Sequence, residues 1–560
     1  MTVPSVWVEA VTFSDGTQVR LRRDDLVVVV GPNNSGKSEF LRNVLDLVNT
    51  EDPRLVARQL EIGREGSLET VLAWLRETAR ETKGRRPEEL HYRRGVHAVR
   101  ADLVPQFWSR PRGGLRDLTP FFCYLLSAEE RLKASDPPPS IPLTTQPFSH
   151  PIHHLQADDS LEMEVSQVFR RAFGVDLVVH RNAGNNVPLY CGERPKPKPD
   201  EDRLSIAYIR ELEKLPALKA QGDGMRAYAG ILLNTIVVQH SVLLIDEPEA
   251  FLHPPQIRQL ARVLATSRAT GGQLFVATHS GDFVRAAIEA NSPRVRILRL
   301  QRDGAVNRVK ELDNDGVREL WGDPLLRYSN VLDGLFHSKT VVTEADGDCR
   351  FYAAVADALG ASADTCADVF FTHCGGKDRL PTAIRALQRL GVPVAAIADF
   401  DVLSNENPLH SIYEALGGDW ETIRRDWLTV KSAVEKKTPE LSTREVSQQI
   451  QRILENVDDR VFPKMATEKI TAVLRRSTPW SIAKDVGKQY IPPGEETQAF
   501  GRLMTAVRER GLFVVETGEM ESFDRDEGNH GPAWVNAVLA KSLRDDRFKD
   551  ARDFVAAVIG

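Results

Sequence analysis

The order of apolar and polar residues predicts a hairpin, a buried strand and a helix at the start of the chain. VWVEAVTF and TQVRLRR are short alternating runs joined at SDGT, which is the pattern of a β-hairpin. LVVVV, residues 26–30, is continuously apolar, which is typical of a strand with both faces covered. Helical spacing of apolar residues resumes over residues 39–50.

Proline-rich segments predict an insertion in the first half of the chain. SDPPPSIPLTTQPFSHP and ERPKPKPDED cannot form regular helix and are predicted to be surface loops. Between them, LEMEVSQVFRRAF is helical by period. From residue 221 to about 300, helix and strand patterns alternate and end near RVRILRL. We therefore expect an insertion at about residues 50–215.

The second half shows another alternation of strands and helices, beginning at Thr340. Strands are predicted at VVTE, DVFFTH and VPVAAIAD, and helices at RFYAAVADAL and LPTAIRALQRL. This order is typical of a parallel sheet in an α/β domain. Residues 404 to about 508 are charged and helical by period, and they precede a last strand, GLFVVET. The pattern predicts a helical insertion there.

Length and composition predict a soluble protein of at least two domains. A chain of 560 residues is long for one hydrophobic core, and the change of pattern near residues 335–338 predicts domains at 1–335 and 336–560. No signal peptide is recognised, and the most apolar segment, AGILLNTIVVQHSVLLI, contains polar residues that argue against a membrane span. We expect a cytoplasmic protein with no membrane contact.

The net charge of -6 gives no general attraction to nucleic acid, so such binding requires basic patches or metal ions. RLRR, HYRRGVHAVR and WSRPRGG could contact phosphates, although solvated surface is the commoner role of such stretches. The five cysteines show no paired spacing, which argues against a disulfide framework or a zinc ribbon.

GPNNSGKS is a candidate phosphate-binding loop. It matches the pattern G-x-x-x-x-G-K-[ST] and lies after an apolar strand and before a helix, as that motif requires. Lys37 would reach the β and γ phosphate oxygens, and the Ser38 hydroxyl would ligate magnesium. ATP is the expected cofactor. The predicted nucleotide-binding residues of the loop are Gly31, Asn33, Asn34, Ser35, Gly36, Lys37 and Ser38.

A later strand ends in the acidic pair that this loop needs for hydrolysis. In VLLIDEPEAFLHP, Asp246 would hold the hydration shell of Mg²⁺ and Glu247 would polarise the attacking water. Such a pair is often structural when it occurs alone. Together with the phosphate loop, it predicts an ATPase.

The order of the motifs in the first half resembles that of ABC-type ATPases, in the branch that includes the SMC and recombinational-repair ATPases. QGDGMRAY lies where this family begins its signature helix, although it departs from the usual LSGGQ. The resemblance implies that Gly222 and Gly224 approach a γ-phosphate held by another subunit, so a homodimer or higher oligomer is expected.

The same resemblance implies roles for three further segments. His279, in ATHS, corresponds to the switch histidine that senses the γ-phosphate, and LHP at 252–254 corresponds to a segment at the dimer interface. SAEERL at 127–132 is the candidate for the polar switch region.

A second acidic site is predicted at the strand ends of the second half. VVTE ends in Glu344, and VPVAAIADFD ends in Asp399 and Asp401. In an extended strand, residues i and i+2 point to the same face, so both aspartates could reach one cation. Parallel strands place their carboxyl ends at one sheet edge, where open α/β folds build sites. We therefore expect these three carboxylates to converge on a metal ion.

This arrangement of acids, over residues 340–401, resembles the Toprim domain of primases, type II topoisomerases and certain nucleases. Ala345 stands where the family usually has glycine. The resemblance implies further roles: Asp348 and Glu521 (favoured over Glu519) as metal ligands, and Lys484 or Lys488 as a catalytic lysine. Paired Mg²⁺ or Mn²⁺ ions about 3.5–4 Å apart would suit phosphodiester hydrolysis.

An ABC-type ATPase followed by a Toprim domain resembles the OLD (overcoming lysogenization defect) family, which includes anti-phage effectors. This resemblance implies a nucleotide-gated, metal-dependent endonuclease acting in bacterial defence, with DNA favoured as its substrate. It also implies an oligomer formed through the ATPase domain, and a second defence protein or a phage trigger as a partner.

Two other hypotheses about the function depend on the same motifs. In one, the ATPase is a sensor and the Toprim domain is a toxin that cleaves host tRNA. In the other, the chain is a DNA-end-binding structural or repair ATPase with an inactive Toprim-like domain, although the retained acids argue against it. No tyrosine suggests a topoisomerase, and no polymerising apparatus suggests a primase.

Overall fold

The fold is described from a computed structural model, which divides the chain into two compact units, residues 1–323 and 324–560. Both units contain a sheet rich in parallel strands together with many helices, so the predicted α/β class is confirmed. The structure describes residues 3–50, 52–84, 89–110, 114–182, 184–199, 201–238, 240–266, 272–290, 292–312, 330–360, 368–437, 441–455, 457, 462–475 and 478–560.

The described residues of the first unit form strands and helices in mixed order. The strands are β1 (Ser5–Phe13), β2 (Gln18–Arg20), β3 (Leu26–Val30), β4 (Ala57–Glu65), β5 (Arg80–Lys83), β6 (Leu90–Arg94), β7 (His97–Arg100), β8 (Cys123–Leu126), β9 (Asp176–Val179), β10 (Leu189–Gly192), β11 (Val242–Asp246), β12 (Gln273–Ala277), β13 (Val295–Asp303) and β14 (Val306–Leu312). The helices are α1 (Lys37–Thr50), α2 (Leu68–Thr78), α3 (Val104–Trp108), α4 (Thr119–Phe122), α5 (Ala128–Ala134), α6 (Pro151–Ala157), α7 (Asp159–Phe173), α8 (Ile206–Leu212), α9 (Asp223–Leu232), α10 (Pro254–Thr266) and α11 (Gly281–Glu289).

The central sheet of the first unit has the strand order β14-β13-β3-β12-β11-β8. Neighbouring strands are parallel except for β13 and β14. All five residues of β3 are buried, as expected for a strand covered on both faces. The carboxyl ends of β3, β11 and β12 therefore lie at one edge of the sheet, and the phosphate loop, the acidic pair and ATHS all leave from that edge.

The predicted hairpin and first helix are both present. Strand β1 pairs antiparallel with β2, and Val11 lies opposite Val19. Helix α1 begins at Lys37, two residues before the predicted start. Phe40 of α1 is buried and stacks on Phe13 of β1 with ring centroids 5.3 Å apart. This contact fixes the helix that follows the phosphate loop.

The region predicted as an insertion contains short antiparallel sheets and helices. The predicted helix LEMEVSQVFRRAF is α7, which Asp158 caps by accepting from two backbone N–H groups. Its buried Glu162 pairs with Arg181 and Arg194 at 2.6 and 2.5 Å. These paired charges anchor α7 to the chain segments that follow it.

The most apolar segment of the chain is buried within the first unit. It forms the end of α9, a π-helical turn over Leu233–Val237 and then β11. No helix in the described part of the chain is long and apolar enough to cross a membrane.

The second unit contains an all-parallel sheet and many helices in its described residues. The strands are β15 (Lys339–Thr343), β16 (Val369–His373), β17 (Val394–Ala398) and β18 (Leu512–Val514). The helices are α12 (Asp346–Gly360), α13 (Leu380–Arg389), α14 (Glu406–Ala415), α15 (Trp420–Glu435), α16 (Thr443–Glu455), α17 (Lys464–Arg475), α18 (Pro479–Val486), α19 (Glu495–Glu509), α20 (Pro532–Leu539) and α21 (Lys549–Ile559).

The sheet of the second unit has the strand order β16-β15-β17-β18. Strand β15 leads through α12 to β16 on one side, whereas β17 leads to β18 on the other. The chain therefore leaves the neighbouring strands β15 and β17 in opposite directions, which opens a crevice at their carboxyl ends. The predicted alternation of strands and helices after Thr340 is confirmed.

The segment between β17 and β18 is helical in its described residues, as the pattern of residues 404–508 predicted. It forms α14 to α19. Trp427 of α15 is only 1% exposed, and its indole N–H donates to the Leu403 carbonyl over 2.9 Å. The helices are thereby anchored to the chain just beyond β17.

Candidate functional site

The phosphate loop has a tight backbone that only certain residues can adopt. Residues 31–36 join β3 to α1, and Gly31, Asn34 and Gly36 have φ of 145°, 60° and 93°. A Cβ on Gly31 would lie 2.1 Å from the carbonyl oxygen of Leu300, so this position requires glycine. Such a loop at a helix N-terminus favours bound anions.

Two side chains stabilise the phosphate loop by donating hydrogen bonds to its backbone carbonyls. Lys37 is buried, and its ammonium donates to the carbonyl oxygens of Gly31 and Pro32, each at 2.8 Å. Asn307 of β14 donates from its side-chain amide to the Ser35 carbonyl over 2.6 Å. No sequence motif marks Asn307, because its contact with the loop depends on how β14 pairs in the sheet.

Ser38 and Asp246 meet at the edge of the central sheet. The Ser38 hydroxyl donates to Asp246 Oδ1 over 2.9 Å. Burial raises the pKa of the Asp246 carboxyl, although the hydrogen bond from Ser38 opposes this effect. A hydroxyl and a carboxylate in contact form an oxygen donor set that fits Mg²⁺.

Glu247 and His279 lie beside this pair. Glu247 has a left-handed φ of 48°, and its Oε1 is 3.5 Å from His279 Nε2. Burial, followed by the charge of Lys37, lowers the pKa of His279, so its imidazole is neutral at pH 7. Glu249 was not predicted; it accepts from the Thr278 hydroxyl at 2.9 Å and from the His279 N–H at 2.6 Å. Glu249 therefore ties the acidic segment to the histidine loop.

The signature-like segment lies against the segment after the acidic pair. Gly222 precedes α9 and is exposed, with open space around it. A Cβ on Gly224 would lie 2.6 Å from the Phe251 carbonyl oxygen, so glycine allows the LHP segment to approach α9. In the SAEERL segment, Ser127 follows β8 directly and caps α5.

In the second unit, the structure brings Glu344 and Asp399 together. The Asp399 N–H donates to Glu344 Oε1 over 3.3 Å. Asp348 lies in the first turn of α12 and accepts from the Ala345 N–H over 3.0 Å. The acids that follow β15 and β17 therefore share the crevice between these strands.

The expected geometry of the Asp399 and Asp401 pair is wrong. Strand β17 ends at Ala398, and Asp399 precedes a 3-10 helix over Phe400–Ser404, so the two aspartates do not lie on an extended strand. Asp401 instead accepts from Lys377 over 3.0 Å with one carboxylate oxygen. Its other oxygen is buried and has no hydrogen-bond partner in the part of the chain that the structure describes.

Lys377 was not predicted from the sequence. It lies in the loop after β16, beyond a Gly-Gly pair, and so reaches the same sheet edge as the acids. The signal that could have identified it is its position, because loops that follow parallel strands build sites at one edge.

The structure distinguishes the two candidate lysines. Lys484 of α18 lies 2.9 Å from Asp399 Oδ2 and 3.4 Å from Glu519 Oε2. Lys488 instead pairs with Glu516 at 3.1 Å and is exposed. Gly518 places Lys484, since a Cβ there would lie 2.0 Å from the Lys484 carbonyl oxygen.

Glu519, Glu521 and His530 form a group that could hold a metal ion. Each offers a ligand atom, and the three atoms lie within 4.8 Å of one another. Glu521 also accepts from the Gly531 N–H over 2.8 Å. Carboxylates suit Mg²⁺ and Mn²⁺, whereas imidazole is a ligand of transition metals more often than of Mg²⁺. His530 was missed because its loop shows no pattern.

The clustered acids have strongly altered proton affinities. Burial, followed by the charges of Asp399 and Asp401, raises the pKa of Glu344 to about 8. Burial and Asp399 raise the pKa of Asp348 to about 7. Tyr352, one helical turn after Asp348, has a buried hydroxyl to which none of the described residues is hydrogen-bonded. Acids held this close favour divalent cations, and such perturbed groups are typical of functional sites.

Comparisons with known proteins found one matching family and two relatives. Residues 125–285 match the family described as "AAA domain, putative AbiEii toxin, Type IV TA system". The Old nuclease of Escherichia phage P2 is 23% identical over 171 residues, which are 30% of this chain and 28% of that protein. The uncharacterized protein MJECL11 of Methanocaldococcus jannaschii is 30% identical over 104 residues, which are 18% of this chain and 90% of that protein.

Among solved structures, the Smc head bound to the C-winged helix domain of ScpA has a TM-score of 0.33 at 11% identity, over 56% of this chain and 99% of that one. The SMC head domain from Thermotoga maritima has a TM-score of 0.28 at 12% identity, over 56% of this chain and 100% of that one. Scores this low carry no argument about the fold or function of this chain.

Replacing Lys37 with alanine is expected to reduce ATP hydrolysis by about 10²-fold or more, because a buried positive charge beside the phosphates is lost. The measurement is phosphate release by the purified protein. Lys214→Ala removes an exposed lysine that pairs with Glu211 and should hydrolyse ATP normally. Normal turnover by Lys37→Ala would show that the phosphate loop is wrongly assigned.

Proposed function

We propose that this chain, which belongs to the OLD family of ATPases joined to nucleases, cleaves nucleic acid with divalent metal ions under the control of ATP. The chain spans 28% of the length of the phage P2 Old nuclease that it matches. The activity of the whole protein is therefore inferred from its own residues.

The observation that carries this proposal is the meeting of acids from three strand ends at one sheet edge. Glu344 follows β15, Asp399 follows β17 and Glu521 follows β18. Asp399 contacts Glu344 through its N–H and Lys484 through its carboxylate. A Toprim-type site needs this convergence, and separate surface acids would not produce it.

The residues present fit divalent cations. Six acids among the described residues surround the crevice, and the buried Asp401 oxygen, which has no hydrogen-bond partner among them, is an acceptor that a cation would satisfy. When bound, divalent ions activate water and stabilise the leaving oxygen in phosphodiester hydrolysis. The proposed ligands are Glu344, Asp348, Asp399, Asp401, Glu519, Glu521 and His530.

The lysines of the crevice have a separate role in the proposed chemistry. Burial opposes the charge of Lys484, but Asp399 and Asp401 more than offset this and raise its pKa above the ordinary value. Lys484 is therefore a fixed cation that can bind a substrate phosphate. Lys377 holds Asp401 through their 3.0 Å contact.

The first unit is proposed to bind and hydrolyse ATP. Lys37 and the loop would hold the phosphates, Ser38 and Asp246 would hold Mg²⁺, and Glu247 would orient the attacking water. Binding energy released at these residues would then bias the nuclease unit between active and inactive arrangements.

DNA is the favoured substrate, and defence against phage is the favoured role, since the OLD family includes such effectors. Cleavage of tRNA is the second candidate function, because the matched family is described as a putative toxin. A phage product or a second defence protein would act as the trigger or partner.

The function is tested by replacing Asp348 with asparagine and measuring cleavage of plasmid DNA and of total tRNA, with Mg²⁺ or Mn²⁺ and with or without ATP. Loss of a carboxylate ligand should reduce cleavage by about 10²-fold and leave ATP hydrolysis unchanged. Asp346→Asn is the matched control, because Asp346 lies on the same helical turn but is exposed and pairs with Arg350.

Whether the wild-type protein cleaves DNA or tRNA decides between these two proposed substrates. Undiminished cleavage by Asp348→Asn would exclude this crevice as the nuclease site. If neither substrate is cleaved under any of these conditions, the hypothesis of a structural or repair ATPase is favoured.

Metal binding is expected to stabilise the protein more at pH 8 than at pH 6. The pKa of Glu344 is raised to about 8, so the unfolded chain loses this proton at lower pH than the folded chain does. The metal-free fold therefore loses stability as pH rises towards 8. Ionised ligands bind metal better, so Mn²⁺ should raise the melting temperature more at pH 8. Equal shifts at both pH values would contradict the assignment of Glu344.

ATP is expected to double the mass of the protein in solution. The exposed Gly222 at the start of α9 is proposed to complete the ATP site of a second copy. Mass should be measured with and without ATP on Glu247→Gln, which would hydrolyse ATP slowly and keep it bound. Lys37→Ala should not respond to ATP. A monomer at all ATP concentrations would exclude the composite site.

A further inference from the structure

A buried arginine lies behind the acidic end of β11. Arg131 of α5 is 0% exposed, and its Nη1 donates to the backbone carbonyl of Asp246 over 2.7 Å. Its Nε and Nη2 are also buried and have no hydrogen-bond partner among the described residues. Burying a charged group with unsatisfied donors is unfavourable, so the presence of Arg131 at this place needs an explanation.

The charge of Arg131 is balanced by the acids proposed for ATP hydrolysis. Burial lowers the pKa of its guanidinium, and the carboxylates of Glu249, Asp246 and Glu247 oppose that change. Asp246 is the last residue of β11, and Glu247 and Glu249 follow it. Arg131 therefore depends on this acidic segment for its electrostatic compensation.

Arg131 and β12 hold the two ends of one peptide group. The Asp246 carbonyl accepts from Arg131, and the Glu247 N–H of the same peptide donates to the Ala277 carbonyl over 2.8 Å. Glu247 has φ of 48°, a left-handed conformation that is unfavourable for a residue other than glycine. Such strain persists only where neighbouring contacts hold it, so these two hydrogen bonds set the direction of Glu247.

The backbone of Arg131 also contacts the signature-like helix. A Cβ on Gly230 of α9 would lie 2.1 Å from the Arg131 carbonyl oxygen, so the two helices touch backbone to backbone there. Arg226 of α9 adds a hydrogen bond to the Leu132 carbonyl at 3.3 Å. Because interiors are close-packed, a displacement of α9 must also move Arg131.

We propose that Arg131 is a positioning residue for ATP hydrolysis, which fixes the Asp246–Glu247 peptide and transmits movements of α9 to Glu247. This inference rests on the proposed ATPase function of the first unit. It adds a route by which a second copy, in contact with the start of α9, controls the orientation of Glu247 within this chain.

Arg131→Met tests the proposal, because methionine fills part of the same buried space without a donor or a charge. Misplacing Glu247 should lower kcat for ATP hydrolysis by about 10²-fold. KM and the affinity for a fluorescent ATP analogue should change little, since Arg131 does not contact the phosphate loop. Arg131→Lys keeps the cation and one donor, and should recover part of kcat.

Arg94→Met is the matched control. It removes another guanidinium, a partly buried one that donates to the Phe121 carbonyl at 3.3 Å and stacks over Trp74, but it leaves the acidic segment intact. Melting temperatures show how much of each variant is folded. The control should lose stability while the folded fraction keeps wild-type kcat.

A folded Arg131→Met protein with wild-type kcat would overturn the proposal. If this variant does not fold, Arg131→Lys decides: wild-type kcat overturns the proposal, and a lowered kcat with unchanged ATP affinity supports it. A wild-type protein that does not hydrolyse ATP would overturn the proposed ATPase function, and the role of Arg131 with it. That failure is recognised in the wild-type reaction alone.

Discussion

Repulsion between carboxylates crowded at the end of a parallel sheet is the constraint on which the second unit depends. Parallel pairing places the loops after β15, β17 and β18 at one edge, and each loop brings acids with it. Two lysines offset part of this charge: Lys484 lies against Asp399 and Glu519, and Lys377 lies against Asp401. The remaining repulsion is taken up by protons, as the raised pKa values of Glu344 and Asp348 indicate, or by bound cations.

The convergence of these acids could be predicted from the sequence because it follows from topology alone. Apolar runs separated by helical segments predict parallel strands, and parallel strands share a carboxyl edge. The phosphate loop could be predicted from its motif, because its residues are adjacent in sequence. The relation of Asp399 to Asp401 was predicted wrongly, because the chain turns into a 3-10 helix directly after β17. Residues i and i+2 point to the same face only while the chain remains an extended strand.

Residues that reach the sites from distant segments could not be predicted. Asn307 supports the phosphate loop through the pairing of β13 and β14, and Arg131 reaches Asp246 because β8 lies next to β11. Lys377 and His530 lie in loops without a motif. Arg131 does lie within SAEERL, the predicted polar switch region, but in each case the contact that the side chain makes is set by the tertiary arrangement. Choosing Lys484 over Lys488 likewise required the close approach at Gly518, which no local pattern encodes.

The origin of Lys484 has a consequence for how this protein can vary. The lysine that contacts Asp399 belongs to α18, within the helical region between β17 and β18, and not to the strands that carry the acids. If this helical region were shortened or exchanged, the acids would remain in place, but Asp399 would lose the positive charge of Lys484. Lineages that remodel this region must retain α18 and its junction with Gly518, or acquire a replacement cation elsewhere.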